Sequence, residues 1–361
     1  MGGLTSPYLD KTRRTVTAAG LKNSSARLLP PQSVILSSRA PIGHLVINTV
    51  PMATNQGCKG LVPKAGLEAL FLYYCLLGMV PQLDAMGTGA TFKELSAGKL
   101  KEVCIPVPPL PEQRRIVAIL DHALEGIAAA KANAERNLRN AREVFESQRE
   151  HLLSRGEQDW DEKAIGEVCE IKHGFAFQSK YFTDDGGYVC LTPGNFFEDG
   201  GYRDRGSKTK YYSGPVPEGF LLSAGQMLVA MTEQAPGLLG SPAIVPEGQN
   251  FLHNQRLGLI CPKQGSPWVN EFFFHVFNRP SFRKAVHRTA TGVKVRHTSP
   301  SKLGQIGVSF PVSERGQRNV ATTIDAIQQQ ASCQKQVIHQ KLAGLDELKA
   351  SLLHQAFTGQ L

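Results

Sequence analysis

Apolar residues recur at alternating steps of three and four along two long stretches of the chain, residues 112–154 and 317–355. Nine of eleven stripe positions are apolar in the first stretch and eight of eleven in the second. Such a stripe predicts two heptad-patterned helices of ~42 residues, each ~63 Å long at ~1.5 Å per residue. A face this narrow needs cover, and the simplest cover is the other helix in an antiparallel pair. The stripe residues expected in the core of this coiled coil are Leu120, Leu124, Ile127, Leu138, Phe145, Leu152, Ile324, Ile327, Ile338, Leu345, Leu348 and Leu352.

The rest of the chain has short β-like runs, such as "SVILSS" and "LGLICP", between Gly, Pro, Ser and Thr. Each remaining segment also contains one apolar helical stretch, at 67–83 and at 268–286. This mixture predicts an α+β fold, in which two α/β domains are joined and separated by the two long helices. The predicted order is a domain at 1–110, a helix at 111–155, a domain at 156–312, and a helix with a short tail at 313–361.

The two mixed segments align with each other, which indicates a pseudo-two-fold repeat. The run "NQGCKGLVPK" (55–64) matches "NQRLGLICPK" (254–263) at both ends, and "TGATFKELSAGKL" (88–100) matches "TGVKVRHTSPSKL" (291–303). The second segment opens with residues 160–182, and nothing similar precedes residue 28. We therefore expect the first domain to be shortened at its N-terminus.

Composition adds a charge argument and removes several classes of protein. The net charge is +9, and residues 252–302 hold nine Lys or Arg against one acidic residue, Glu271. This concentration favours a polyanionic partner, and the alternative is a solvated basic surface. Seven cysteines without C-x-x-C spacing favour free thiols in a reducing cytoplasm over zinc or disulfides. No run is long and apolar enough for a membrane span, and the start has no apolar leader.

Four motifs resemble the specificity subunit of type I restriction–modification enzymes. They are "PVPPLPEQRRIVAILD" at 106–121, "IGEVCEIKHGFAF" at 165–177, "LDELKASLLHQAFTGQL" at 345–361, and the pattern "SSRAPIG...TNQG...P" at 37–63. The resemblance implies two target recognition domains, each reading one half of a bipartite site in duplex DNA, with the coiled coil setting their separation. It also implies that two methyltransferase (modification) subunits bind the helices and carry the S-adenosylmethionine chemistry, and that restriction subunits can join. The chain itself would be non-catalytic and would hold no cofactor.

Cations in loops are the candidates for DNA contact, because Arg and Lys neutralise phosphates and Arg also reads guanine. The alternative for each is a solvated loop. In the second domain the candidates, among them one tyrosine beside the cations, come from the runs 202–212 and 288–299 and from one neighbouring loop. They are Arg203, Arg205, Lys208, Lys210, Tyr211, Arg256, Arg288, Lys294, Arg296 and His297. In the first domain the candidates are Arg13, Arg14, Arg39, Lys59, Thr88, Thr91 and Lys93.

Three other interpretations compete with DNA contact. The Asn-Gln pairs at 54–57 and 253–256 could read adenine, but their presence in both copies favours a structural role in a turn. The run "LDAMGTGATF" (83–92) resembles a methyltransferase cofactor loop but lacks the strand–loop–helix context that such a loop needs. A coiled-coil scaffold that binds proteins through its globular domains is the remaining alternative function.

Overall fold

The computed structural model describes residues 6–89, 92–154, 159–234 and 236–361, which fall into two compact units. Unit 1 comprises Met1–Leu138 with Gln336–Leu361, and unit 2 comprises Arg139–Lys335. Each of the two long helices contributes a part to each unit. Among the helices of the described ranges, none combines the length and the hydrophobicity that a membrane span requires.

Unit 1 contains a small mixed sheet, four short helices and the first long helix. Its strands are β1 (Tyr8–Leu9), β2 (Leu28–Leu29), β3 (Val34–Ser38), β4 (Ile42–Asn48), β5 (Met52–Ala53) and β6 (Cys58–Leu61). Its helices are α1 (Ala18–Lys22), α2 (Ala69–Gly78), α3 (Val80–Ala85), α4 (Ala97–Lys101) and α5 (Leu110–Ser154). The main sheet has the order β1-β4-β3-β6, in which β1 is parallel to β4 and β3 is antiparallel to both of its neighbours.

Helix α2 is apolar on all sides, as expected of a helix that packs against other elements on two of its faces. Leu72 and Leu76 pack into the core over the sheet, while Phe71 and Tyr74 pack against the long helix. The pattern of the apolar run at 67–83 suggests one helix, but the run forms two, α2 and α3. Pro81 occupies the start of α3, where its missing N–H is tolerated, and a proline inside a continuing helix would remove a hydrogen bond.

Unit 2 repeats this architecture with more strands. Its strands are β7 (Trp160–Ala164), β8 (Cys169–His173), β9 (Phe182–Thr183), β10 (Tyr188–Leu191), β11 (Tyr211–Tyr212), β12 (Leu221–Leu222), β13 (Met227–Ala230), β14 (Thr232–Glu233), β15 (Pro242–Ile244), β16 (Phe251–His253), β17 (Leu257–Pro262), β18 (Arg296–His297) and β19 (Gly307–Pro311). Its helices are α6 (Ile165–Val168), α7 (Asn270–Asn278), α8 (Pro280–Thr289), α9 (Pro300–Gly304) and α10 (Glu314–Phe357), with short 3₁₀ turns at Ser179–Tyr181, Pro193–Asn195 and Gly206–Lys208.

Two sheets share the core of unit 2. One has the order β15-β13-β17-β8 and the other β12-β16-β10-β11-β9. Strands β3 and β6 of unit 1 correspond in sequence to β13 and β17, and the central strand is fully buried in both copies. The predicted helix at 268–286 is divided into α7 and α8, again at a proline, Pro280.

The predicted long helices are confirmed as α5, with 45 residues, and α10, with 44. In unit 1 they run antiparallel, because Arg115 of α5 contacts Leu361 while Lys131, sixteen residues further along, pairs with Asp346. In unit 2, Leu153 of α5 shares a buried cluster with Ile324 of α10.

Burial along the stripe follows the prediction at most positions. Leu120, Ile127 and Ile324 are buried, and the half-buried members are Leu124, Leu138, Phe145, Leu152, Ile327, Ile338, Leu345 and Leu352. The prediction for Leu348 is wrong, because this side chain is 47% exposed. A straight helix drifts by about 20° per heptad against a strict seven-residue repeat, so the buried face moves along the sequence. Accordingly, Leu153 and Leu353, each one position after a predicted stripe residue, are 0% and 4% exposed.

A buried glutamine ties each long helix to the globular part of its unit. Gln113 Oε1 accepts a hydrogen bond from the Glu68 backbone N–H at 2.9 Å, and its amide nitrogen donates to the carbonyls of Gly66 and Pro108. Gln317 makes the same three bonds, from the Val269 N–H at 2.8 Å and to the carbonyls of Pro267 and Pro311. Both side chains have no solvent exposure.

A second repeated contact lies eight residues further along each long helix. In unit 1 the Tyr74 hydroxyl donates to Asp121, and in unit 2 His275 Nε2 lies 2.9 Å from Asp325 Oδ1. Burial lowers the pKa of His275, although Asp325 opposes this by favouring the charged imidazole. Each globular helix is therefore held to its long helix by one aromatic–carboxylate pair.

Candidate nucleic-acid interface

A tight turn follows helix α8 and carries an exposed apolar tip. The backbones of Thr291 and His297 exchange two hydrogen bonds of 3.0 Å, which close the turn. Gly292 has a φ of +98°, and a Cβ there would lie 2.1 Å from the Val295 carbonyl oxygen, so only glycine fits. Val293 at the tip is 98% exposed. Packing within the chain does not require an apolar side chain at this exposed position, so the tip is a candidate for contact with another molecule.

The same turn occurs in unit 1. Thr88 and Glu94 exchange hydrogen bonds of 3.1 and 2.9 Å, and Gly89 has a φ of +133°. A Cβ on Gly89 would lie 2.2 Å from the Phe92 carbonyl oxygen, and the Phe92 side chain is 72% exposed. Thr91, a predicted contact residue, lies outside the described residues. The aligned "TG" runs therefore form the same structural motif in both units, a glycine turn with an exposed apolar side chain.

The basic side chains around the unit 2 turn differ in whether they are exposed or bonded within the chain. Arg288 and Lys294 are exposed. Arg296 donates to the His287 carbonyl at 2.9 Å and lies 3.7 Å from the Glu233 carboxylate, and His297 lies 3.1 Å from the Thr291 hydroxyl. Arg288 and Lys294 are thus the cations placed to reach a polyanion, while Arg296 and His297 hold the turn.

Glu233 organises the base of this turn, and the sequence pattern did not single it out. Its side chain is 3% exposed, and Oε2 accepts hydrogen bonds from the Gly237 and Leu239 N–H groups at 3.1 and 3.0 Å. Strand β14, which carries Glu233, pairs with β18, which carries Arg296. Burial lowers the pKa of the nearby His287, although Glu233, 3.7 Å away, opposes the shift. The pairing of strands 64 residues apart supplies this arrangement, so no local motif could have found it.

The predicted cations of unit 1 are more fully compensated. Lys93 forms an ion pair of 3.0 Å with Asp84, and Lys59 lies 3.6 Å from Glu94. Arg39 is half-buried and lies across Gly57, where an added Cβ would meet its Nε at 3.1 Å. Arg13 and Arg14 are exposed in an irregular segment. Thr88 contributes its backbone to the turn described above.

The loop at 202–212 carries most of the other predicted contacts of unit 2. Arg203, Lys208 and Lys210 are exposed, and Arg205 is half-buried across Gly194. Tyr211 is half-buried in β11, where it pairs with β10 and β9. Three cations therefore project from this loop, while Arg205 and Tyr211 have structural contacts.

The Asn-Gln pairs have the structural role that the repeat predicts. Asn55 Oδ1 accepts a hydrogen bond from the Gly57 N–H at 3.0 Å, and Asn254 Oδ1 accepts one from the Arg256 N–H at 3.1 Å. Each asparagine thereby closes a turn two residues ahead of itself. Arg256 is exposed, and its carbonyl accepts a hydrogen bond from the Met231 N–H at 2.9 Å.

The segment ahead of the 202–212 loop is bonded to strand β15 and the residue before it. The Ser241 hydroxyl donates to the Phe197 carbonyl at 2.6 Å, and the Gly201 N–H donates to the Pro242 carbonyl at 2.8 Å. The segment ahead of the 202–212 loop thus packs on the strand that follows Glu233 and its turn. Within the described residues, no group of three or more His, Cys, Asp or Glu side chains is placed to hold a metal ion.

Comparison with known proteins gives two matches to one family model. The model of the type I restriction modification DNA specificity domain matches residues 4–135 and 157–340. Over 183 residues the chain is 31% identical to the type I restriction enzyme MjaIX specificity subunit of Methanocaldococcus jannaschii, covering 46% of this chain and 42% of that protein. Over 225 residues it is 26% identical to the EcoBI specificity subunit of Escherichia coli, covering 61% and 43%. The chain thus spans less than half the length of these curated relatives.

Solved structures share the fold. One chain, from a structure described as the basis of complex assembly and conformational transition of the type I R-M system, superposes with a TM-score of 0.79 at 19% identity, covering 95% of this chain and 86% of that chain. The HsdS subunit from Thermoanaerobacter tengcongensis superposes with a TM-score of 0.61 at 18% identity, covering 95% and 85%. These likenesses match the duplicated α+β architecture with its two long helices. Since the family model covers both mixed segments, the chain belongs to the family of type I restriction modification DNA specificity domains.

Proposed function

We propose that this chain is the DNA specificity subunit of a type I restriction–modification complex, with recognition domains at 1–110 and 156–312. The observation that carries the proposal is the repeated glycine turn, whose tip is apolar in both units and whose surroundings in unit 2 include the exposed cations Arg288 and Lys294. Exposed cations bind the phosphates and position the domain, and the apolar tip enters a DNA groove and contacts the base edges there. Each domain reads one half of a bipartite site in duplex DNA. The two turns differ in sequence, which fits two different half-sites.

The long helices set the spacing of the half-sites. At ~1.5 Å per residue, helices of 45 and 44 residues are ~66–68 Å long. One turn of B-DNA is ~34–36 Å, so a rod of this length spans about two turns. A change in helix length would alter both the distance and the rotational phase of the two domains. Spacing is therefore part of the specificity.

Partner subunits supply the catalysis in this proposal. Two methyltransferase subunits dock on the exposed faces of α5 and α10, bind S-adenosylmethionine and transfer the methyl group, and restriction subunits join them. The polar face of α5 between residues 131 and 150 carries both charge signs, as a docking face for protein partners requires. The chain itself takes no cofactor and acts in the cytoplasm.

The test is duplex DNA binding as a function of salt, with the chain assembled with its methyltransferase subunits. Removing a phosphate contact should lower the slope of log affinity against log salt by about 0.9. We expect the double variant Lys208→Ala/Lys210→Ala to lose up to about two such contacts. The matched control is Lys163→Ala/Lys172→Ala, which removes two exposed lysines of unit 2 that pair with Asp161 and Glu170.

The protein-binding scaffold is the alternative that this experiment can support. Under that alternative, both double variants would keep the affinity and the salt slope of the unchanged chain. Equal behaviour of the loop variant and the control variant would refute the DNA-contact assignment.

A further inference from the structure

Arg279 lies at the elbow between two globular helices of unit 2. Helix α7 ends at Asn278, and α8 begins at Pro280. Apolar packing joins these helices to each other, because Phe277 and Phe282 are buried with their ring centroids 4.5 Å apart. The side chain of Arg279 bonds instead to a third element, the C-terminal end of the long helix α5.

The Arg279 guanidinium contacts α5 at two points. Its Nε and Nη2 atoms lie 2.9 and 2.8 Å from Glu150 Oε1, which also accepts a hydrogen bond from the Ser281 hydroxyl at 3.2 Å. Its Nη1 atom donates to the Leu153 carbonyl at 3.0 Å. This carbonyl belongs to the last turn of α5, where carbonyls lack helical partners and a cation is favoured. One planar cation therefore binds a side chain and a backbone group of the same helical turn.

This contact, here called the elbow clamp, is directional, unlike the apolar packing beside it. Leu153 is fully buried in the main core of unit 2, and Leu152 and Phe145 pack against the same cluster. Burial of apolar surface depends on the area that is covered and has little dependence on direction. The fork of an arginine requires aligned donors and acceptors. The elbow clamp therefore fixes the orientation of the elbow on the end of α5.

The glycine turn of unit 2 lies at the other end of α8. Helix α8 ends at Thr289, and the turn begins at Thr291. The His287 carbonyl of α8 accepts a hydrogen bond from Arg296 at 2.9 Å, and the Thr289 hydroxyl lies 2.7 Å from that of Thr298. The turn is thus bonded to α8, which is ~15 Å long at ~1.5 Å per residue. A change of angle at the elbow clamp would therefore displace the turn.

In unit 1 the equivalent contact is apolar. Tyr74 and His275 make the same contact with the long helices, so Gly78, four residues further on, corresponds to Arg279. Gly78 lies against Leu353 near the end of α10, where an added Cβ would be 3.4 Å from the Leu353 Cβ. Both units thus rest this elbow on the end of a long helix, and in unit 2 the contact is an oriented ion pair.

We propose that Arg279 and Glu150 are positioning residues that set how strictly the spacing of the two half-sites is enforced. This inference rests on the proposed function. One base pair more or less shifts a half-site by ~3.4 Å and rotates it by about 34–36°. To follow such a shift, the glycine turn must change its angle to α5, and the elbow clamp opposes that change. The clamp rejects sites of the wrong spacing and does not read bases.

The experiment measures spacing tolerance in the complex with the methyltransferase subunits. A plasmid library carries the two half-sites of the unchanged chain at spacings around the natural one, and sequencing counts the methylated sites. Arg279→Gln removes the fork, and Glu150→Gln keeps the shape of the acceptor without its charge. For both variants, methylation at spacings one base pair longer or shorter should rise at least about fivefold relative to the natural spacing, as expected for a lost charge-assisted hydrogen bond. The bases preferred within each half-site should stay the same.

The matched control is Arg318→Gln, which removes an exposed arginine that pairs with Glu314 of its own helix at 2.8 Å. This control should keep the spacing tolerance of the unchanged chain. The double variant Arg279→Gln/Glu150→Gln should relax the spacing no further than either single variant, because both residues act through one contact. Glu150→Gln carries the test if Arg279→Gln lowers the yield of folded chain, which tryptophan fluorescence measures.

Two outcomes would overturn the elbow clamp and leave the proposed function intact. One is a spacing tolerance that does not change in folded, active complexes of either variant. The other is a changed base preference within the half-sites, which would indicate direct contact with DNA. If the unchanged chain directs no methylation to a bipartite site, the proposed function fails, and the elbow clamp fails with it.

Discussion

Replacing Gln317 by Leu should destabilise unit 2 strongly, although the change makes a buried residue more apolar. Gln317 has no solvent exposure and satisfies three backbone groups, the Val269 N–H and the carbonyls of Pro267 and Pro311. Leucine has a similar volume but leaves all three without this partner. Val269 and Pro311 are buried, whereas Pro267 is half-exposed and its carbonyl can bind water.

The magnitude follows from the two groups that water cannot reach. A buried donor or acceptor left unpaired costs about 1–3 kcal/mol, so the expected loss is about 2–6 kcal/mol. This is a large part of the about 5–15 kcal/mol by which domains are usually stable. Removing the bond to Val269 also frees the start of α7, which carries much of the aromatic core of unit 2.

Denaturant unfolding monitored by tryptophan fluorescence measures this loss directly. Both tryptophans of the chain, Trp160 and Trp268, lie in unit 2, and Trp268 adjoins the residues that Gln317 binds. The control is Gln329→Leu, an exposed glutamine on the same helix, which should change the unfolding free energy by less than about 0.5 kcal/mol. If Gln317→Leu also stays within about 0.5 kcal/mol of the unchanged chain, the assignment of a structural role to this buried amide is refuted.

Three further predictions concern the pair His275–Asp325 and the glycine turns. Burial lowers the pKa of His275 below its usual 6.5, so the unfolded chain takes up a proton that the folded chain does not, and stability is lost as pH falls below about 6.5. The variant His275→Tyr should therefore reduce the difference between the denaturant unfolding midpoints at about pH 7.5 and 5.5. An unchanged difference would contradict this prediction. Gly292→Ala should cost about 1–3 kcal/mol, since the residue has a φ of +98° and no room for a Cβ, as calorimetry would show, and an unchanged melting temperature would contradict it. Val293→Ser and Phe92→Ala should leave stability unchanged but weaken specific DNA binding about fivefold to tenfold, because each variant loses about 1 kcal/mol of apolar contact with the DNA. An affinity equal to that of the unchanged chain in a filter-binding assay would contradict this prediction.

The long helices and the repeat could be predicted because their signals are local and periodic. The stripe located both helices to within three residues at each end. Pro108 and Pro109 directly precede α5, and the Ser313 hydroxyl accepts a hydrogen bond from the Gly316 N–H at the start of α10. The stripe failed at Leu348, where helix geometry departs from a strict heptad. The asparagine turns were also within reach, because Asn254 and Asn55 bond to backbone only two residues away.

The rest of the site depends on contacts between distant parts of the chain. Glu233 pairs across two strands with Arg296, 63 residues further along the chain, and Gln317 binds the Val269 backbone 48 residues before it. No sequence window contains both partners of either contact. Lys294 and Arg296 lie two residues apart in one turn and carry the same charge, but Lys294 is exposed whereas Arg296 donates a hydrogen bond to the His287 carbonyl. Charge alone could not distinguish these two roles. The exposure of Val293 was likewise invisible, since an apolar residue in a short run predicts burial as readily as display.

Mapping methylated sites in genomic DNA tests the central claim most directly. Cells would express the methyltransferase subunit alone, with the unchanged chain, or with a chain in which one heptad is deleted from both α5 and α10. We predict methylation at a bipartite motif only when the chain is present, and the same two half-sites at a shorter spacing with the deletion. Methylation at the same sites without the chain, or an unchanged spacing with a folded and active deletion variant, would contradict the account.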